Sequence, residues 1–311
     1  DFYAAGGSEG HQPSGGEAGL AAGGGAVLFH SRALPIDAGL LEGLRSQGIE
    51  TIWITGTDYA RYEEALLQDF ISVAGDPTVP IEAKCEITYD LSAQLMHHAF
   101  VAAEPVPVMQ AAEPVVNMVI DVVFQDADAA HHFLMRTVPD YALYTHAVHV
   151  CMLGVSLAKR ALGISKEEAL HRFGPGLLLH DLGLTEMPKD LYERYDPLNP
   201  ILEPEFRRHP EAGLALVREF MDLTPESESI ILHHHERLDG SGFPMGIAGD
   251  ELSDGAKICA IVDTFDLLNT RTRYRERLPS FEALKAMKRG VPWQLDESFF
   301  HEFVRIFLPP S

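Results

Sequence analysis

Histidine and aspartate side chains are grouped in two short segments of this chain, and this grouping constrains the fold more than any other feature. In the first segment, three consecutive histidines, His233 to His235, precede a Gly/Pro-rich turn that ends at Pro244. In the second, His180 and Asp181 interrupt a run that is otherwise apolar. Imidazole pairs and carboxylates beside a rigid loop are typical of metal sites. We therefore expect the fold to bring the two segments together.

The three consecutive histidines are not equivalent. Successive residues of a helix point about 100° apart, so adjacent ligands serve two neighbouring metals more easily than one. Ile230 and Ile231 stand one turn before His234 and His235. This spacing predicts that His234 and His235 are buried and that His233 lies outside the site. Histidine tracts also occur as tags and on exposed surfaces, but an Asp-Gly-Ser-Gly-Phe-Pro loop does not follow such tracts.

Composition excludes some classes of partner. The chain has 311 residues, 46% of them hydrophobic, and a net charge of −22. Such a field repels phosphate backbones and anionic lipid, so we expect no nucleic-acid polymer and no membrane surface as partner. No apolar run approaches the ~18 residues that span a bilayer; the nearest, Val115 to Phe124, contains Asn117 and Asp121. The three cysteines show no metal-binding spacing and fit a reducing cytoplasm; they are Cys85, Cys151 and Cys259.

The N-terminal quarter has a different texture from the rest. Residues 1–25 are rich in Gly, Ala and Ser and predict a flexible tail. Residues 26–76 predict a small α/β domain with a regulatory, sensory or structural role. Its expected strands are Val27–Phe29 and Thr51–Ile54, and its expected helices are Asp37–Gln47 and Asp58–Val73.

The remainder predicts a mainly α protein. Residues 77–139 are expected to form a helical linker or the start of a bundle, and residues 140–311 are expected to form a metal-binding catalytic domain. The expected helices are Ile81–Ala103, Val106–Phe124, Ala127–Arg136, Tyr141–Leu162, Lys166–Asp181, Pro210–Met221, Pro225–Arg237, Leu252–Asn269, Phe281–Lys288 and Asp296–Phe307.

The His-Asp pair and the His-His-Glu…Asp-Gly-Ser-Gly-Phe-Pro segment together resemble the HD-GYP family of metal-dependent phosphodiesterases. The resemblance covers about Asp140 to Pro309. It implies an HD-type helical bundle, with Asp181 bridging two metal ions and with His180 and Asp181 as the catalytic pair. The metal ligands it implies are His146, His180, Asp181, His209, His234, His235 and Asp263.

The donor set and the resemblance together indicate the metal. Neutral imidazoles and carboxylates without a thiolate suit Fe, Mn, Zn or Ni better than Mg or Ca, and the resemblance favours two irons, with manganese next. Ala142 stands where some family members carry a third-metal glutamate, so we expect two ions. His149 is interpreted as a packed or hydrogen-bonded histidine, and Asp266 as a group that supports the ligands.

The resemblance implies hydrolysis of cyclic di-GMP to pGpG and on to GMP in bacterial second-messenger signalling. Three family side chains are replaced: Phe243 stands for the tyrosine, Leu184 for a lysine and Thr272 for an arginine. Restoring all three is expected to strengthen substrate binding. The expected substrate contacts are Asp239, Gly242, Phe243, Arg271, Arg273 and Arg275. The run of arginines fits two interpretations equally well, a clamp that binds phosphate and a solvent-exposed turn.

Two alternatives stay open at this point. The first is a receptor or interaction module that binds metals and perhaps nucleotide but turns over slowly or not at all. The second is another HD-superfamily enzyme, such as a nucleotidohydrolase or a diiron oxygenase, against which the Asp-Gly-Ser-Gly-Phe-Pro segment argues. The expected small-molecule partner is a cyclic dinucleotide; signalling-protein partners and a homodimer are left open.

Overall fold

A computed structural model describes most of the chain. It covers residues 2–5, 26–30, 52–54, 65, 67–68, 70–101, 105–126, 128–134, 142–198, 204–290 and 294–308. The chain divides into two compact units, residues 1–69 and residues 70–311. The division precedes the boundary expected at residue 76, because helical residues 70–75 belong to the second unit.

The first unit contains a small antiparallel sheet. Its strands β1 (Phe2–Ala5), β2 (Ala26–His30) and β3 (Ile52–Ile54) are ordered β2-β1-β3. Strands β2 and β3 fall where the sequence predicts strands, whereas β1 lies in the stretch expected to be a flexible tail and corrects that expectation for residues 2–5. The helix expected over Asp37–Gln47 lies outside the described residues.

The described part of the second unit is helical. Its α-helices are α1 (Ile81–Val101), α2 (Pro105–Gln125), α3 (Ala129–Leu134), α4 (Leu143–Ala161), α5 (Gly174–Leu179), α6 (Lys189–Glu193), α7 (His209–Arg218), α8 (Pro225–His233), α9 (Asp254–Asn269), α10 (Ser280–Gly290) and α11 (Glu297–Ile306). Short 3₁₀ turns lie at Glu167–Ala169, Leu182–Glu186, Phe206–Arg208 and Gly249–Glu251. The mainly α class predicted from the sequence is confirmed.

Helix α4 is the centre of this bundle. Its side chains are buried on nearly every face up to Ala158, as expected of a helix that is apolar all round. It packs against α1, α2, α5, α9 and α11. A Cβ on Gly154 would lie 2.6 Å from Leu177 Cδ2, so the glycine allows α5 to approach closely. This approach brings the end of α5 to the N-terminal half of α4.

Helix α2 corrects the conclusion from the sequence that no segment is long and apolar enough to span a bilayer. Its residues Val106–Gln125 are long and apolar enough to cross a bilayer by length and composition, although the sequence analysis finds no such stretch. About 56% of the most apolar window is buried within the fold, against α1, α4 and α5. A core helix of a globular bundle has the same properties.

Two helices are shorter than the sequence pattern predicts. Helix α8 begins after Thr224, whose side chain accepts a hydrogen bond from Ser227 N, with Pro225 in the first turn, a favourable start for a helix. It ends at His233 rather than at Arg237. The single helix expected over Lys166–Asp181 is instead a 3₁₀ turn followed by α5. As a result, the expected metal ligands of both segments lie in turns just past a helix end.

Candidate metal centre

Five parts of the helical unit contribute the seven expected metal ligands. His146 lies in the first turns of α4, His180 and Asp181 follow α5, and His209 begins α7. His234 and His235 follow α8, and Asp263 lies in α9. The structure brings all seven together, and none is more than 6% exposed.

The seven residues form two groups that share Asp181. In the first group, His146 Nε2 lies 3.4 Å from Asp181 Oδ2, 3.2 Å from Asp263 Oδ1 and 3.3 Å from His180 Nε2. His180 Nε2 is also 3.4 Å from Asp181 Oδ2. Four ligand atoms, one from each residue, therefore converge as they would around a single ion.

The second group lies on the other carboxylate oxygen of Asp181. His209 Nε2 is 3.2 Å from Asp181 Oδ1, and His234 Nε2 is 3.4 Å from it. His235 completes this group, whose ligand atoms all lie within 4.8 Å of one another. One carboxylate facing two donor groups is the arrangement expected of a residue that bridges two ions.

The hydrogen bonds of the imidazoles favour a cation in each group. His180, His209 and His234 point Nδ1 at the backbone carbonyls of Leu177, Phe206 and Ile231, at 2.9, 2.7 and 2.9 Å. A carbonyl can only accept, so Nδ1 carries the proton and a neutral ring presents a lone pair at Nε2.

Two such lone pairs face each other, because the Nε2 atoms of His209 and His234 are 3.1 Å apart. Nearby, Asp181 Oδ1 and both oxygens of Asp263 are buried without a hydrogen-bond partner. Buried acceptors that meet only other acceptors are costly unless a cation lies between them. The residues present therefore fit two metal ions.

The two groups differ in charge. Burial favours a neutral His146, but the neighbouring carboxylates of Asp181, Asp263 and Asp266 outweigh burial and hold the pKa of His146 well above its usual value. Burial lowers the pKa of His234 to about 4 and that of His235 well below its usual range.

The shared carboxylate remains ionised despite its burial. Burial alone would raise the pKa of Asp181, but its electrostatic interactions with the neighbouring His180, His146 and His209 hold it well below its usual value. A permanently charged carboxylate at the junction favours cation binding on both sides.

Asp266 supports the first group from outside. Its Oδ2 accepts a hydrogen bond from His146 Nδ1 at 2.7 Å, and its Oδ1 lies 3.0 Å from His149 Nδ1. The His149 ring also stacks on Tyr89, with centroids 5.0 Å apart. The structure thus agrees with both interpretations from the sequence, a packed His149 and a supporting Asp266.

His233 and Ala142 lie where the sequence argument expects them. His233 is outside both groups, with Nδ1 3.1 Å from Ser229 Oγ. Ala142 precedes α4 and has no ligand atom. The two-ion count remains a prediction.

The loop after His235 is held by tight backbone contacts. Glu236 Oε1 accepts hydrogen bonds from Met245 N at 2.7 Å and Gly246 N at 3.0 Å. A Cβ on Gly242 would lie 2.4 Å from the Cα of Glu236 and 2.5 Å from the carbonyl oxygen of His235. Only glycine fits at this close approach. Gly242 therefore has a packing role, in addition to the substrate contact predicted for it.

Phe243 is buried rather than open to a ligand. The side chain is 4% exposed and packs in an apolar cluster with Leu184, which is 2% exposed. The other buried members of this cluster are Leu143, Tyr195, Phe206 and Leu267. The structure thus places the residues at the family tyrosine and lysine positions beneath the surface.

The predicted arginine clamp is engaged elsewhere. Arg275 donates from Nη1 to Tyr195 O at 2.9 Å and from Nη2 to Leu267 O. Arg273 pairs with Asp190 and Glu193 on α6. Arg271 is exposed. These contacts favour the interpretation of residues 270–278 as a structural turn, and the phosphate contacts predicted for Arg271, Arg273 and Arg275 stay predictions.

Asp239 also has a local role. It is exposed, and its Oδ1 accepts hydrogen bonds from the backbone N and the hydroxyl of Ser241 at 3.0 and 2.5 Å. This is a turn-forming contact of the kind that aspartate makes in loops. This geometry gives Asp239 a structural role in the loop, and the predicted substrate contact stays a prediction.

The sequence analysis did not identify three further residues of the site, which are Tyr195, Phe206 and Arg207. The Tyr195 hydroxyl lies 3.3 Å from His235 Nδ1, and its ring stacks on Phe206 with centroids 4.7 Å apart. Arg207 is exposed, with its guanidinium carbon 5.8 Å from the centre of the Phe243 ring. A basic pair directly before His209 was the available signal for Arg207; no local pattern marks Tyr195.

Both protein-family models and solved structures match this chain. Residues 153–298 match the model of the HD domain family. The fold resembles the HDG"Y"P protein from Bdellovibrio bacteriovorus, with a TM-score of 0.64 and 19% identity over 90% of each chain. At that identity the likeness establishes the fold alone.

Relatives of assigned activity are also similar. A cyclic di-GMP phosphodiesterase of Pseudomonas aeruginosa is 31% identical over 55% of this chain and 40% of its own length. A 3′3′-cGAMP-specific phosphodiesterase of Vibrio cholerae is 30% identical over 52% of this chain and 37% of its own. The chain thus spans less than half the length of these relatives.

Proposed function

We propose that this chain is a member of the HD-GYP family and a metal-dependent phosphodiesterase that hydrolyses a cyclic dinucleotide. The observation that carries the proposal is the pair of ligand groups that share Asp181. When bound, two transition-metal ions would supply a water activated at neutral pH and positive charge for the phosphate oxygens. We propose iron, with manganese, zinc and nickel as alternatives, and a cytoplasmic location.

The chain's own residues hold and orient this chemistry. His146, His180 and Asp263 would bind one ion, and His209, His234 and His235 the other, with Asp181 common to both. Carbonyls and Asp266 fix the rings through Nδ1, so that Nε2 is the atom presented to the metal. The buried, apolar surroundings strengthen every charge interaction at the centre.

The proposed substrate is cyclic di-GMP, with 3′3′-cGAMP as the second candidate, because relatives of this chain act on each. A chain with net charge −22 needs local cations to hold a phosphate. Arg207 suits this role, since it is exposed and lies over Phe243, whose ring in turn contacts His235. We propose Arg207 as the first phosphate contact to test.

The second candidate function is a metal-binding receptor or interaction module of low activity. The observation that favours it concerns two positions at which a cation was expected to bind the substrate. Leu184 is buried and apolar, and the guanidinium of Arg275 is bonded to backbone carbonyls. Fewer cations at the charge that develops on the phosphate would slow turnover, while the two ligand groups would still bind metals.

Direct assay separates the two functions. Protein reconstituted anaerobically with Fe²⁺ or Mn²⁺ is incubated with cyclic di-GMP and with 3′3′-cGAMP, and the products are separated by chromatography. The enzyme predicts metal-dependent appearance of the linear dinucleotide, with slower turnover in Arg207→Ala than in Arg208→Ala, its exposed neighbour. Binding of two metals and of nucleotide without product supports the receptor. Two bound metals with neither binding nor turnover of nucleotide would contradict both functions.

A further inference from the structure

His235 differs from the other expected histidine ligands in the partner of its Nδ1 atom. Three of the others point Nδ1 at a backbone carbonyl and His146 points it at a carboxylate. His235 Nδ1 instead faces the phenol hydroxyl of Tyr195 at 3.3 Å. This partner comes from a distant part of the sequence, 40 positions upstream.

A phenol and a carbonyl constrain an imidazole differently. A carbonyl or an ionised carboxylate can only accept, so it fixes the proton on Nδ1 and the lone pair on Nε2. A phenol can donate or accept. When Nε2 of His235 binds a metal, its proton lies on Nδ1, and the phenol oxygen of Tyr195 is placed to accept it.

Tyr195 is held firmly enough to perform this role. It is 7% exposed and its ring stacks on Phe206. Arg275 donates to its backbone carbonyl at 2.9 Å. The ring of Tyr195 also meets the His235 ring edge-on, at 5.2 Å between centroids. Both the hydroxyl and the ring thus define the orientation of the imidazole.

We propose that Tyr195 is the positioning residue for His235, accepting from Nδ1–H so that Nε2 is free to bind metal in the second ligand group. The inference rests on the metal-binding part of the proposed function and extends it to a residue outside the ligand set. It predicts that the two ions depend unequally on Tyr195, because the first ligand group contains no residue that contacts its hydroxyl.

The test is metal binding in the absence of any nucleotide. Wild type and Tyr195→Phe are titrated with Zn²⁺ against a chromophoric chelator. Tyr274→Phe is the control, because the Tyr274 hydroxyl bonds Asp190, which lies outside both ligand groups. Loss of a group that orients a ligand typically weakens metal affinity about 10–100-fold. We expect that loss at one of the two sites in Tyr195→Phe, less than twofold change at the other, and no change in Tyr274→Phe.

Equal weakening at both sites, or no weakening, would overturn the proposal. A measurement on the wild type does not depend on the variant folding: ¹⁵N-histidine spectra of the Zn²⁺ protein should place the His235 proton on Nδ1, and a proton on Nε2 would contradict the assignment. If the protein binds Zn²⁺ at two sites but hydrolyses no cyclic dinucleotide, the proposed enzymatic function is wrong and the proposed role of Tyr195 still stands. A wild type that binds no Zn²⁺ would overturn both proposals.

Discussion

The ring of Phe243 stacks on the imidazole of His235, with centroids 4.6 Å apart and planes inclined by 21°. The backbone N of Phe243 also donates to the His235 carbonyl at 3.3 Å. An aromatic ring in this position holds the His235 imidazole by stacking. This contact does not require a hydroxyl group on the ring. The change from the family tyrosine to phenylalanine therefore keeps this packing function.

The first prediction separates the shared ligand from its excluded neighbour. Asp181→Ala should abolish retention of both metals and any hydrolysis, because Asp181 belongs to both ligand groups. His233→Ala should retain two metals, because His233 contacts Ser229 and not the centre. Elemental analysis after anaerobic reconstitution measures both. Equal metal loss in the two variants would show that the assignment of His233 is wrong.

The second prediction concerns Leu184, the position of the family lysine. The sequence alone suggests that restoring lysine there strengthens substrate binding, but Leu184 is 2% exposed among Phe243, Phe206 and Tyr195. Burying an unpaired ammonium should lower the free energy of unfolding by about 3–5 kcal/mol. Urea unfolding measures it, with Leu184→Met as the volume-matched control. Unchanged stability together with improved cyclic di-GMP binding would restore the sequence-based expectation.

The third prediction tests the tight turn after His235. Gly242→Ala would bring a Cβ within 2.5 Å of backbone atoms of Glu236 and Arg237, so the free energy of unfolding should fall by about 3 kcal/mol. Gly75→Ala is the control, because nothing lies within 4 Å of its added Cβ and alanine suits a helix better by roughly 0.5–1 kcal/mol. Thermal unfolding compares the two variants. Equal effects would mean that the backbone near Gly242 relaxes freely.

Five of the seven expected ligands carry local signals of their own, and the resemblance to the HD-GYP family supplied His146 and Asp263. His180-Asp181 and His234-His235 are adjacent pairs of ligand types, and His209 is followed by a proline that starts a helix. Each of these signals involves only a few neighbouring residues of the chain. The mainly α class follows in the same way from apolar periodicity.

The contacts that end helix α8 and those that hold Arg275 were not predictable from the apolar periodicity. The apolar period predicts that α8 continues to Arg237, but the guanidinium of Arg237 donates to the carbonyls of His234 and Glu236, while Glu236 accepts from Met245 and Gly246. These bonds satisfy backbone groups outside a helix, and tertiary contacts override propensity. The engagement of Arg275 with distant carbonyls was hidden for the same reason.

The last prediction is a pH dependence of the metal-free protein that originates at His234. Burial lowers the pKa of His234 to about 4 in the folded chain, against about 6.5 when unfolded. Between these values the unfolded state binds more protons, so stability must fall as the pH falls. From pH 7 to pH 5, His234 should contribute a loss of about 2 kcal/mol. In His234→Asn, which cannot titrate, urea unfolding of chelator-treated protein should show a loss smaller by that amount. The same pH dependence in both proteins would mean that folding does not lower the pKa of His234.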